Sequence, residues 1–189
     1  MGHKVLSRKL HLHLHLQRPL LAKPSKGFTL IEMLITVTIL LLLIAMGAPA
    51  YGSWLQNTQL RTAAEGVQNG LQIARQAAVQ MNNKVQISFT GADWTVSVLS
   101  PAQVLQSRTN SGLTPNAQLS PSQSIVVFNG LGQVSPPPAG VITVAVSNPA
   151  GGACRAVGGP MRCLNVTVQA GGQIRMCDPA LPTTDPQSC

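Results

Sequence analysis

Between Phe28 and Ala50 the chain carries a single ionisable side chain, Glu32. A helix rises about 1.5 Å per residue, and about 20 apolar residues cross the ~30 Å hydrocarbon layer of a bilayer. The run is long enough to span. A carboxylate in such a segment costs roughly 2.5–3.5 kcal/mol or more at the bilayer centre, so one near the end calls for a cationic partner and reads as functional. The run is entered through Lys26-Gly27-Phe28-Thr29-Leu30-Ile31, a basic residue and a glycine directly before the first apolar side chains.

Charge divides at the same point. Lys4, Arg8, Lys9, Arg18, Lys23 and Lys26 precede the run without a single acid, whereas seven Lys/Arg face five Asp/Glu from Phe28 onward. The net +8 of the whole chain thus falls to +2 beyond residue 27, and its basicity is poor grounds for a nucleic-acid partner. Positive charge before the span and none again until Arg61 orients the first segment towards the cytoplasm and the remainder outward. All four histidines also lie in the first segment, three of them alternating with leucine from His11 to Leu16. With no Cys or carboxylate nearby to complete a site, they read as leader composition rather than as metal ligands.

After Pro49 the pattern turns amphipathic. Leu60, Ala64, Val67, Leu71, Ala74, Ala78 and Met81 recur at helical steps, opposite a face of Gln59, Thr62, Gln68, Asn69, Gln72, Gln76 and Gln80. One helix from Phe28 to about Met81 is expected, with an alanine-rich seam suited to lying closely on a sheet. A coiled coil is the competing reading, thinly supported by about three heptads that contain Gly66 and Gly70.

Downstream the period becomes two. Val85, Ile87 and Phe89, then Trp94, Val96 and Val98 around Gly91-Ala92-Asp93, read as a hairpin with one buried face. Further strands are expected at Ile125–Phe128, Val141–Val146, Leu164–Gln169 and Gln173–Met176, and loops at Ser100–Gln123 and Ser135–Gly140. The expected fold is α+β, with a long helix packed on one antiparallel, β-rich domain.

Cys154, Cys163, Cys177 and Cys189 fall in the last thirty-six residues, and an even count in an exported domain favours two disulfides. Cys154–Cys163 with Cys177–Cys189 is favoured because each bond closes a short Gly- or Pro-rich loop, worth roughly 2–3 kcal/mol of chain entropy. A Cys163–Cys177 bond across a hairpin remains open. Zinc is the other option, but spacings of eight, thirteen and eleven residues lack a C-x-x-C pair.

Lys26, Gly27, Phe28 and Glu32 closely resemble the leader junction of type IV prepilins and type II secretion pseudopilins. The resemblance implies cleavage by a prepilin peptidase between Gly27 and Phe28, N-methylation of Phe28, and an assembly role for Glu32. Pro49 falls where many pilins carry a proline that loosens or breaks the regularity of the first helix, since its ring removes a backbone donor. Ile125-Val126-Val127-Phe128-Asn129-Gly130 and Gly172-Gln173-Ile174-Arg175-Met176-Cys177-Asp178-Pro179 resemble, less specifically, the FimT/GspH group. The implied organisation is a cytoplasmic leader at 1–27, a transmembrane and filament-core helix at 28–50, its amphipathic continuation at 51–82, and a periplasmic domain at 83–189. A 27-residue leader is long for the family, which leaves a start codon further downstream open.

Two competing explanations of the N-terminal run are simpler. A secretory signal cut near Ala48-Pro49-Ala50 would have an apolar core of only ~7–15 residues. A plain anchor would hold Glu32 merely as a favourable charge at a helix N-terminus.

No enzyme chemistry suggests itself. Beyond the leader there is no histidine, the acids outside the apolar run are Glu65, Asp93, Asp178 and Asp185, and no phosphate loop or dinucleotide motif occurs. No cofactor or metal is expected. The expected function is a minor pilin of a type IV pilus, bound to the bacterial inner membrane and partnered by other pilins, the peptidase and an assembly platform. A type II secretion pseudopilin is the near alternative. A DNA receptor for uptake, using Arg155, Arg162 and Arg175, is the distant one: some FimT-like members carry Gly-Arg-x-Arg near the C-terminus, where this chain has Gly172-Gln173-Ile174-Arg175 and lacks the first arginine.

N-terminal sequencing of the membrane-extracted protein is expected to begin at methylated Phe28, and Gly27→Ala to slow or block cleavage. A mature terminus at Tyr51 would contradict the prepilin reading.

Overall fold

The computed structural model describes residues 27–109 and 114–189, so the basic leader and its histidines lie outside the described residues, as do the side chains of residues 48–50. Two compact units divide the chain, Met1–Leu42 and Leu43–Cys189, and the helix α1 (Leu30–Met81) contributes to both.

Thr29 starts α1. Its Oγ1 accepts the N–H of Glu32 at 3.2 Å, the first half of a Thr-x-x-Glu capping box that satisfies one orphan donor of the first turn. Helix continues through residue 49, so the weak point expected at Pro49 is not a helix end. The end comes at Met81. Asn82 takes the left-handed conformation (φ 45°), its N–H reaches Val79 O at 3.3 Å, and the Asn83 N–H reaches Ala78 O at 3.1 Å, the Schellman arrangement.

In the second unit one stripe of α1 is buried: Leu60, Ala63, Ala64, Val67, Leu71, Ala74, Ala77 and Ala78. Met81, expected to close the stripe, is half exposed because the cap ends the helix there. Gly66 and Gly70 lie on the same face. A Cβ on Gly70 would sit 2.9–3.0 Å from the Trp94 indole, and one on Gly66 would meet the Arg108 guanidinium. Helix and sheet therefore approach as closely as glycine permits.

Among the described residues, eight antiparallel strands form two sheets. The first has the order β3-β2-β1-β5, from β1 (Val85–Thr90), β2 (Asp93–Leu99), β3 (Ala102–Arg108) and β5 (Ile125–Phe128). The second has the order β4-β6-β7-β8, from β4 (Gln118–Pro121), β6 (Ile142–Ser147), β7 (Leu164–Val168) and β8 (Ile174–Cys177). Register follows the alternation of apolar residues: Ile87 pairs with Val96, Phe89 with Trp94, and Val144 with Val166, all facing the core. Between β7 and β8, Gly172 adopts φ +79° with its open face against the Gly132 carbonyl, a position closed to residues with a Cβ.

The segment Ser100–Gln123 is not the loop expected from its composition, since it contains β3 and β4. The edge strand β3 is exposed along most of both faces and shifts register at Leu105, so it lacks the period-two signal of a strand with one buried face. β4 has four residues and places only Leu119 in the core.

Replacing Gly70 with Ala should lower stability by about 1–3 kcal/mol through overpacking against Trp94, despite the gain of up to ~1 kcal/mol in helix propensity. Gly52→Ala, where a Cβ meets nothing within 4 Å, should leave stability unchanged or raise it. Urea unfolding of the full chain in detergent, followed by circular dichroism, separates the two. Equal upward shifts would contradict the close contact.

Candidate functional site

The N-terminal candidates sit on and just before the first turn of α1. Gly27 and Phe28 precede the helix, and Phe28 is 77% exposed. A Cβ at Gly27 meets nothing within 4 Å, so no contact among the described residues requires glycine at that position. Glu32, in the first turn, is exposed, and no partner of its carboxylate occurs among the described residues. The window Leu30–Gly47 that follows is long and apolar enough to cross a membrane, and its side chains are exposed throughout. Glu32 is the one carboxylate of this exposed apolar run.

The C-terminal candidates form a fastened module. Cys154 is bonded to Cys163 and Cys177 to Cys189, so the Cys163–Cys177 alternative is not formed and no described cysteine is free. The three arginines proposed for phosphate contact are not equivalent. Arg162 Nε donates to Asp178 Oδ2 at 2.7 Å, and its backbone N–H donates to Asn57 Oδ1 at 3.0 Å, tying the tail to α1. Arg175 donates through Nη2 to the carbonyls of Pro186 and Ser188, the latter at 3.0 Å. These two serve the fold. Arg155, in a short 3₁₀ turn (Arg155–Val157), is exposed and has no polar side-chain partner among the described residues. One unengaged guanidinium gives only weak, salt-sensitive phosphate binding.

Asp178 organises the tail. It is 3% exposed, accepts the Ala180 N–H through Oδ1 at 2.9 Å, and donates its own N–H to Gln187 O at 2.8 Å. Beside it a groove of about 480 Å³ separates α1 from β7 and β8, lined among others by Trp54, Asn57, Arg61, Arg162 and Met176. Arg61 is occupied too, its Nε lying 2.8 Å from Glu65 Oε1. The link between Asn57 and Arg162 spans 105 residues of sequence, and no local pattern announces it.

Residues 22–48 match the model of the prokaryotic N-terminal methylation motif, and residues 63–172 match that of type II transport protein GspH. The chain belongs to the GspH family. The GspH match covers α1 from Ala63 and the strands up to β7, and stops before β8, Arg175 and the Cys177–Cys189 bond. Among solved structures, the type IV minor pilin FimU of Pseudomonas aeruginosa is similar with a TM-score of 0.52 and 20% identity, covering 72% of this chain and 98% of FimU. The minor pseudopilin EpsH of the Vibrio cholerae type 2 secretion system gives 0.50 and 15%, covering 65% and 99%. At such identities the likeness is one of fold. No curated protein matches the chain.

Arg162→Gln would leave the Asp178 carboxylate without its cation. The expected loss is about 1–3 kcal/mol, less than the ~3–5 kcal/mol of a fully buried pair because Arg162 is half exposed. Amide hydrogen exchange should quicken across residues 178–189 while β1 and β2 stay protected, and an unchanged tail would remove the ion pair from this role.

Proposed function

We propose that this GspH-family chain is a structural subunit, a minor pilin of a type IV pilus, and not an enzyme. Prepilin peptidase cuts between Gly27 and Phe28, and the mature subunit rests in the bacterial inner membrane through the first half of α1, with residues 83–189 in the periplasm. An assembly platform then draws it into a filament of other pilins. The observation that carries this reading is the coincidence in sequence of the methylation motif at 22–48, the exposed apolar window Leu30–Gly47 of α1 and Glu32, whose carboxylate has no partner among the described residues, joined to a GspH match at 63–172.

In the filament, the apolar window is covered by neighbouring helices, and Glu32 is desolvated beside the amino terminus of another subunit. Glu32 is exposed in the first turn of α1, at the start of an exposed apolar run. An exposed carboxylate on an apolar helix is costly in a low-dielectric setting unless a cation meets it.

The EpsH likeness and the GspH model favour one second reading, a pseudopilus of a type II secretion system. Recovery of the tagged chain in sheared surface pili supports the pilus, whereas recovery only with secretion machinery supports the pseudopilus.

Glu32→Val should leave membrane insertion and cleavage intact and sharply lower incorporation into filaments, in line with ~3–5 kcal/mol for breaking a buried ion pair. Immunoblotting of sheared filaments against whole cells measures it. Wild-type incorporation of the variant would remove Glu32 from assembly.

A further inference from the structure

The groove between α1 and the strands β7 and β8 lies wholly within the second unit, and its lining is that of a contact surface rather than a reaction site. At about 480 Å³ it falls in the size range of specific binding sites. Trp54, 61% exposed, offers an indole that the fold leaves bare, and the half-buried Met176 adds apolar surface from the strands. Trp, Met and Arg are the residue types enriched at protein–protein contacts. Asp178 is the one acid in the lining, and both its oxygens are taken, Oδ2 by Arg162 Nε and Oδ1 by the Ala180 N–H.

Arg61 and Arg162 reach the groove with most of their donors unspent. Each gives only Nε to its carboxylate, Arg61 to Glu65 and Arg162 to Asp178, and neither side chain makes a further hydrogen bond among the described residues. Their Nη atoms remain for a second anion. The Arg61 side chain is 71% exposed, and its i,i+4 pair with Glu65 holds it only weakly. Planar forks of N–H donors beside apolar surface suit a carboxylate, which can accept two parallel bonds from one guanidinium. With two guanidiniums against one buried and satisfied carboxylate, the complement of this lining is acidic.

A second copy of the chain is poorly equipped to supply that acid. Of the four acidic side chains in the second unit, Asp178 is buried, Glu65 lies against Arg61, Asp185 accepts the Gln187 N–H at 2.8 Å, and Asp93 is engaged as well.

We infer that the groove receives an acidic segment of a neighbouring pilin of different sequence, a carboxylate meeting Arg61 and Arg162 while an adjoining apolar side chain covers Trp54 and Met176. The inference rests on the reading of the chain as a filament subunit and names the surface through which it meets a neighbour. The groove is ready for such a contact. The Cys177–Cys189 bond and the bonds of Asp178 fix the wall that carries Gln187, so docking has little left to order.

Thr58, exposed in the lining, is the place to probe it. The full chain carrying Thr58→Lys, or Thr183→Lys on the exposed tail as control, is assembled into filaments that are purified, treated with a zero-length carbodiimide and analysed by mass spectrometry. The amine at position 58 should form an amide with an Asp or Glu of another pilin, several-fold more than the amine at 183, and adding Arg61→Gln should lower that yield several-fold. Detergent-dispersed subunits should give none. The inference is overturned by amides at 58 that reach only Glu65 of the same chain, that join it to a second copy, or that form equally well without Arg61. Filaments that contain the variant and lack the amide cost the groove contact alone, whereas absence of the unsubstituted chain from filaments removes the subunit reading and this inference with it.

Discussion

A helix can lie tightly against a sheet only where the residues between them are small. In this chain that condition is met by alanines at 63, 64, 74, 77 and 78 and by Gly66 and Gly70, over which Arg108 and the Trp94 indole are laid. The remaining order of the second unit follows from this contact. With α1 fixed on the first sheet, Asn82 can cap it and lead directly into β1, and the turns around Gly132 and Gly172 close over Arg75. At the other end of the stripe, Asn57 receives the backbone of Arg162, and through it the stapled C-terminal tail.

Much of this was legible because it rests on periodicity. The seam of α1 follows from a repeat near 3.6, and β1, β2, β5, β6, β7 and β8 from alternation or short apolar runs, with bounds that agree to within one or two residues. β3 and β4 escaped because period two is a signature of burial on one face, and β3 has almost no buried face while β4 has one buried residue. The glycines of α1 weakened a coiled-coil reading without revealing their purpose, since the ring that fills the space above Gly70 comes from a strand 24 residues later.

The candidate sites divide along the same line. Gly27, Phe28 and Glu32 form a local motif, readable as a string because both a methylation motif and a helix start are written in neighbouring residues. The arginines do not. Arg162 and Arg175 look equivalent to Arg155 in sequence, and only the folded tail reveals that one holds Asp178 and another caps the carbonyls of Pro186 and Ser188. Surface cations on a glycine-rich tail are ambiguous until their partners are known, and here the partners lie 11 to 16 residues away.

The proposed function turns on the exposed apolar run Leu30–Gly47 and on Glu32 within it, whose carboxylate has no partner among the described residues. In the proposed filament the amino terminus of a neighbouring subunit meets that carboxylate. The most direct measurement is zero-length carbodiimide cross-linking of purified filaments, followed by mass spectrometry of the N-terminal peptides. The account predicts an amide between the Glu32 carboxylate and the amino terminus of an adjacent subunit, absent from detergent-dispersed subunits. Filaments that contain the chain, yet yield no such cross-link and leave Glu32 open to a water-soluble amine, would contradict it.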